Sequence, residues 1–238
     1  MIACVALVRR RKRFKYGFMP SAYALSPRYS DLPDVLPVFP LGGVLLLPGG
    51  LLPLNVFEPR YIAMVEDALK TNRLIGIIQP HPENDQHIGA PPLQRVGCVG
   101  RIVSFSETTD GRYIVTLSGL WRYTVTEELP VMRGYRRVRP DWSAFAADLD
   151  DPEYLDLDRE RLGVLMRDYL AKNDMEIDCK KLDGASDTRL VTALSMICPF
   201  DAQDKQALLE APCCQTRAQR FMAMLEIATH NCDCGSRH

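Results

Sequence analysis

Two clusters of metal-ligating residue types stand out. The tail carries His230, Cys232, Cys234 and His238, two imidazoles and two thiols of the kind zinc prefers. Against a zinc site, the Cys-x-Cys step is tighter than in common structural sites, and chain ends usually fray. The expectation is a flexible tail, with this cluster as the weak metal candidate and no metal assigned. His81 and His87, with Glu83 and Asp85, fall in HPENDQHIG between a strand-like run and a Pro-rich turn. A solvated polar loop accounts for them without a metal. Cys213-Cys214 follows Pro212 at a helix junction and reads as structural filling; a reactive thiol requires a depressed pKa, which residue order does not display. Ser195 lies in an apolar helical run with no lysine nearby, so it reads as a buried hydroxyl bonded to the preceding turn.

The chain has no GxxxxGK[ST] loop, no GxSxG elbow and no HExxH pair. Gly42-Gly43 and Gly49-Gly50 flank proline and lead into strand-like runs, which suits turns better than a phosphate cradle. These residues imply no enzyme and no cofactor. The balance of 29 Lys and Arg against 30 Asp and Glu gives a formal net charge of −1. A nucleic-acid binder needs a basic excess to replace phosphate counterions, so that class is disfavoured. Two basic runs exist, RRRKRFK (9–15) and YRRVRP (135–140). The second alternates on a strand near Glu127 and Glu128, as a solvated face does.

The eight cysteines are irregularly spaced in a chain long enough to fold without staples, so they read as reduced. The N-terminus is apolar first and basic second, the reverse of a secretory signal, and falls short of the ~20 residues that span a bilayer. It leaves two readings, a basic surface anchor or a start at Met19, with the second preferred. A cytoplasmic protein with no membrane contact is expected.

These residues need elements to hold them. Residues 20–34 are turn-rich. From Val35 to Tyr123 the runs are short, β-branched and punctuated by Gly and Pro, with prolines suited to edge strands or bends. Residues 63–70 interrupt this with an amphipathic helix whose Met64, Ala68 and Leu69 share a face. LIGIIQP and RVGCVGRIVSFSE are strands. Thr109-Asp110-Gly111 then turns a hairpin, sending Tyr113, Val115 and Leu117 to one face and Ile114, Thr116 and Ser118 to the other. After Trp142 the period becomes helical. Leu162, Leu165, Met166, Tyr169 and Leu170 form one stripe; Leu190, Val191, Leu194 and Ile197 form another, ended by Pro199. Asp201 caps AQDKQALLE, and Thr216-x-x-Gln219 resembles a capping box opening a last helix that buries Phe221, Met222 and Leu225. Strands followed by helices imply an α+β chain.

The stretch from Leu36 to Leu69 resembles the opening of the Lon substrate-binding (LON N-terminal) domain. The match runs Leu36-Pro37-Val38-Phe39-Pro40-Leu41, then an apolar strand with a central proline at Leu47-Pro48. It continues through Pro53-Leu54-Asn55-Val56-Phe57-Glu58-Pro59-Arg60-Tyr61 into a helix. Gly97-Cys98-Val99-Gly100-Arg101-Ile102 and Asp110-Gly111-Arg112-Tyr113 extend it, and YRRVRPDW and SMICPF resemble stand-alone bacterial members. It covers about residues 33–229. The resemblance implies a PUA-like β pseudo-barrel (33–142) followed by a helical bundle (143–230); the ends outside its pattern read as a flexible extension (1–32) and a flexible tail (231–238). It implies recognition of protein substrate without ATPase or peptidase chemistry.

Within that motif, Glu58 is expected to cap helix N–H groups, Arg60 to make a bidentate pair, and Phe57 and Tyr61 to pack on the barrel. The alternative makes Asn55, Phe57, Glu58, Arg60, Tyr61 and Arg101 the border of a groove for unfolded or extended polypeptide. The chain then serves as an adaptor in protein quality control, working with a separate protease or chaperone. An RNA-binding PUA-like protein and a metal-dependent enzyme using the C-terminal Cys/His cluster are the competing readings.

Overall fold

The computed structural model describes residues 32–81, 91–149, 155–175 and 184–230. Outside them lie the readings of the N-terminal extension, of Glu83, Asp85 and His87, and of Cys232, Cys234 and His238.

Six strands and five α-helices follow one another as β1 (Leu36–Pro40), β2 (Leu51–Val56), α1 (Pro59–Lys70), β3 (Leu74–Pro80), β4 (Leu93–Glu107), β5 (Tyr113–Met132), β6 (Tyr135–Asp141), α2 (Arg159–Lys172), α3 (Asp187–Ile197), α4 (Ala202–Leu209) and α5 (Cys214–His230). The sheet order is β2-β5-β4-β3-β1-β6, and β6 pairs back onto β5. Five strands therefore close a cycle. The long β5 makes this possible: its first part, from Tyr113 to Ser118, pairs with β2, and its second part, from Thr124 to Met132, pairs with β6. β2 hangs outside the cycle, paired on one side only among the described residues. The β1–β3 pair is parallel and the other pairs antiparallel. The sheet is mixed, and the fold class is α+β.

Leu36, Val38, Leu74, Ile78, Val99, Trp121, Tyr123 and Val138 form one buried cluster drawn from all five strands of the cycle. Tyr123 fits there because Gly76 and Gly97 lack side chains. A Cβ at either would stand 2.5 Å from its hydroxyl, which no real contact allows. The second face of the strands packs on the helices. One cluster joins Phe39, Ile77, Cys98 and Leu117 to Leu162, Leu194, Leu208 and Phe221, so residues of both halves share a single core.

The helical stripe read from the sequence is buried as expected on α2; on α3 Leu190, Val191 and Leu194 are buried, while Ile197 at the helix end is only partly so. Asp201 caps α4 by accepting from the Asp204 N–H. The hairpin turn is built as its residues require, with Gly111 at φ 77°. Four local expectations need correction. α1 begins at Pro59, a turn earlier than its apolar period suggests, because proline is well suited to a first helical position. Residues 44–47 make no strand; they are a buried apolar connection, and pairing begins at Leu51. The Thr216-x-x-Gln219 pattern does not open α5, which starts at Cys214 and leaves Thr216 inside it. Ser195 is fully buried, and its hydroxyl has no partner among the described residues.

Candidate functional site

The stretch 55–61 turns the chain from the edge of the sheet into α1. Asn55 lies opposite Ile114 on β5, and Ile114 lies opposite Ser106 on β4. Phe57 is the first residue past β2, and strand alternation continued by one residue puts it on the face of Asn55 and Ile114. Phe57 is 40% exposed and Ile114 39%. Asn55 Oδ1 is shielded from solvent with no donor among the described residues.

Glu58 occupies the N-cap position with extended backbone (φ −71°, ψ 133°), and its carbonyl accepts from the Tyr61 and Ile62 N–H groups. Its carboxylate makes no cap hydrogen bond. The expected capping role fails because the carboxylate has turned to Arg60: Nε donates to Oε2 at 2.8 Å and Nη2 meets the same oxygen at 2.7 Å. The pair is not bidentate, since one oxygen takes both contacts. It is also open to water, with side chains 48% and 24% exposed. The Arg60 guanidinium rests 4.6 Å from the centre of the Tyr61 ring. Tyr61 is buried against Phe39, ring centres 4.0 Å apart, and burial raises its pKa above the ordinary tyrosine value. Tyr61 thus packs on the sheet as expected, while Phe57 does not.

The β5–β6 hairpin tip closes over α1 beside Arg60. Gly134 passes so near that a Cβ there would lie 3.0 Å from Arg60 Cβ. Arg133 reaches Glu66 at 2.9 Å and Asp67 at 2.6 Å, and the Tyr135 hydroxyl donates to Asp67 Oδ2 at 3.0 Å. Burial and then the Asp67 carboxylate push the Tyr135 pKa up to about 12. Val131 and Met132 stand exposed on the same tip. On β4, Phe105 is 41% exposed and meets Tyr113 edge-on at 4.9 Å.

Asn55, Phe57, Glu58, Arg60 and Tyr61 are therefore brought together at the end of β2. Arg101 is not among them. It sits on β4 between Leu74 and Ser118, and Ser118 faces Leu51, at the opposite end of β2 from Asn55. Four residues along and two strands across place it roughly 16 Å away.

The basic run on β6 is only partly the solvated face expected: Arg139 is half-exposed and binds Glu127 at 3.2 Å, whereas Arg136, its side chain 11% exposed, binds Glu128 at 2.6 Å. Of the tail cluster only His230 is described, with Nδ1 2.8 Å from the Glu226 carbonyl. Among the described residues no group of three or more potential ligands gathers to hold a metal. No helix among them is long and apolar enough to cross a membrane.

Sequence reasoning missed the polar junction between sheet and helices. Arg122, 2% exposed, donates to Asp148 through Nε (2.9 Å) and Nη2 and to the carbonyls of Leu209 (2.9 Å) and Ala211, with its guanidinium 4.2 Å from the Phe145 ring centre. Gln79 donates to Gln206 Oε1 and the Ala202 carbonyl and accepts from the Gly43 N–H. The Lys205 ammonium donates to the Gly43 carbonyl at 2.8 Å, and burial lowers its pKa. A buried polar residue type in a strand was the available signal; its partners, far away in sequence, were not.

Solved structures share this arrangement. The Lon N-terminal domain protein from Xanthomonas campestris superposes with a TM-score of 0.54 at 24% identity, covering 79% of this chain and 97% of that one. The N-terminal domain of the Mycobacterium avium complex Lon protease gives 0.55 at 14% identity, covering 81% and 98%. The chain belongs to the ATP-dependent protease La (LON) substrate-binding domain family, whose sequence model matches residues 35–226. Lon protease 2 of Myxococcus xanthus is 29% identical over 205 residues, 82% of this chain and 24% of its own length. Lon protease of Dictyoglomus thermophilum is 38% identical over 100 residues, 42% of this chain and 12% of its own. The chain spans at most about a quarter of the length of these relatives.

Proposed function

We propose that this chain recognises unfolded or extended polypeptide at the end of β2, as a non-catalytic, cofactor-free module acting as an adaptor for a separate protease or chaperone in the cytoplasm. The scaffold for this is a PUA-like pseudo-barrel (33–142) carrying a helical bundle (143–230). The observation that carries the reading is an unpaired strand edge flanked by exposed apolar side chains and a half-exposed guanidinium. The free side of β2 offers main-chain groups for strand addition, with Pro53 removing one donor and limiting self-pairing. Phe57 and Ile114 supply apolar contact on the Asn55 face. Asn55 Oδ1 has no donor to lose on turning outward to a docked N–H. Arg60, held flat on Tyr61, presents a positive charge beside them. Family membership supports substrate recognition as the task.

The test is fluorescence anisotropy of the full chain against a labelled, permanently unfolded polypeptide, the same polypeptide folded, and a structured RNA. The unfolded chain should bind selectively, and Phe57→Asp should weaken it at least about tenfold, as loss of an interface anchor does. Wild-type affinity in both Phe57→Asp and Ile114→Asp would move the site elsewhere. Binding of RNA alone, falling steeply with salt, would place the protein among RNA binders.

A further inference from the structure

Asp158 caps α2 by accepting from the Arg161 N–H at 2.9 Å, and the residues just before it run beside α5. The Gln215 carboxamide holds them there, accepting from the Asp156 N–H and donating to the Asp156 carbonyl, both at 3.0 Å. Farther along, the Arg161 guanidinium crosses from α2 to the Glu226 carboxylate. Between these two ties lies an open groove of about 300 Å³. That is the size at which ligand pockets begin.

The shape of the groove follows from α5. Gln215, Ala218, Gln219, Met222, Ala223 and Glu226 line one wall. They recur at steps of three and four residues, so they form one face of the helix about 16 Å long. Small side chains keep the floor low: Ala218 is buried, Ala223 is exposed, and Met222 and Leu157 are half-buried beside them. Two exposed apolar side chains continue the same rows. Ile227, 60% exposed, comes four residues after Ala223, and Val164, 48% exposed, comes three after Arg161. Contiguous apolar surface rimmed by polar groups marks an interaction site. The rim decides what fits. Asp156, Asp158 and Glu226 line it against Arg161, three carboxylates to one guanidinium, which leaves a net charge of −2.

We propose that this groove docks a segment of a partner protein in which a large apolar side chain is flanked by lysine or arginine. The apolar side chain lies on the floor made by Ala218, Met222 and Ala223, and the flanking cation lies toward Asp156 and Asp158. A segment of the opposite sign brings like charges together at the rim and is rejected. Glu226 is already paired with Arg161, so the unbalanced charge sits at the Asp156 end. The groove shares no residue with the β2 edge and stands whether or not polypeptide binds there.

The test titrates the full chain into a short labelled peptide of leucine and lysine at helical spacing, and into its twin with glutamate for lysine, by fluorescence anisotropy. At low salt the lysine peptide should bind at least about tenfold more tightly than its twin. Asp156→Asn with Glu226→Gln should weaken it about fivefold or more, as loss of two exposed charge contacts does. Glu107→Gln with Glu127→Gln removes the same charge from the sheet and should leave the affinity unchanged. Ala223→Gln, at an exposed helix position, fills the floor with a neutral side chain and should weaken binding several-fold with the melting temperature unchanged. Phe57→Asp should not weaken the lysine peptide, which separates this groove from the β2 edge. Equal binding of the two peptides, equal losses in the two double variants, wild-type affinity in Ala223→Gln, or a loss in Phe57→Asp would overturn the assignment.

Discussion

Two arginine–carboxylate pairs in this molecule share their chemistry and differ in everything around it. Arg122–Asp148 lies at the junction of β5 with the helical half, its side chains 2% and 8% exposed. Glu58–Arg60 lies at the end of β2, its side chains 24% and 48% exposed. The first takes two carbonyls from the α4–α5 connection as well as its carboxylate, and so ties three segments distant in sequence. The second joins residues two apart and ties nothing that the chain does not already hold. Burial turns the same contact from a surface ornament into a structural requirement, because a buried charge left unpaired cannot be rehydrated. The recognisable motif is therefore not where the fold is held, which frees Arg60 and Phe57 for contact with a partner.

Arg122→Ala should have the largest effect. It strands Asp148 and uncaps the Leu209 and Ala211 carbonyls, and should lower stability by about 3–5 kcal/mol. At about 2–4 °C per kcal/mol for a chain of this size, the melting temperature should fall by roughly 6–20 °C. Calorimetry checks this. Arg122→Met with Asp148→Leu should recover only part, since the two carbonyls still lose their donor. Full recovery would show that the carbonyl contacts carry nothing, and a fall below about 1 kcal/mol for the single variant would erase the contrast between the two pairs.

Tyr135→Phe should have an intermediate effect, about 1–2 kcal/mol, from loss of the bond to the Asp67 carboxylate. Its pH dependence has a definite sign. The folded pKa of about 12 is above the ordinary value of 10, so the protonated phenol is favoured by folding. The stability this adds is complete below pH 10 and is lost as pH rises from 10 to about 12. Denaturant titrations at pH 8, 10 and 11.5 should therefore show the wild type and Tyr135→Phe converging at the alkaline end. A constant difference across that range would mean that folding does not raise the Tyr135 pKa.

The parts of this structure that were legible in the sequence are those decided locally. Asp110-Gly111 between alternating runs specifies a hairpin because the turn demands positive φ, and the stripe of Leu162, Leu165, Met166, Tyr169 and Leu170 specifies a buried helix face by its period. The Asn55–Tyr61 motif marked the candidate surface but not its pairing, since a residue string does not show that the Glu58 carboxylate turns to Arg60 and leaves the helix N–H groups uncapped. Arg101 joined the set by resemblance alone, and strand register separates it. The Arg122 network was illegible for a different reason. Its partners lie 26, 87 and 89 residues away, and only the packing of the later segments against the sheet brings them together. The Thr216-x-x-Gln219 string shows the same limit at short range: it satisfies a capping pattern, yet the helix already opens at Cys214 and leaves Thr216 inside it.

Arg60→Ala should have the smallest effect on stability and a large one on binding. An exposed pair contributes about 0–1 kcal/mol, so the melting temperature should move by no more than a few degrees. The lost packing over Tyr61 adds little, because Tyr61 stays buried against Phe39. If extended polypeptide docks on the Phe57 face, removing this charge should weaken binding several-fold in anisotropy titrations, most strongly for acidic peptides and at low salt. Arg60→Lys should restore the salt-dependent part alone, since an ammonium keeps the charge and loses the flat stacking on the ring. A variant that melts early while binding normally would reverse the comparison, making Glu58–Arg60 the structural pair. A variant that melts and binds like the wild type would leave the surface to Phe57 and Ile114, and the contact would then be read as apolar.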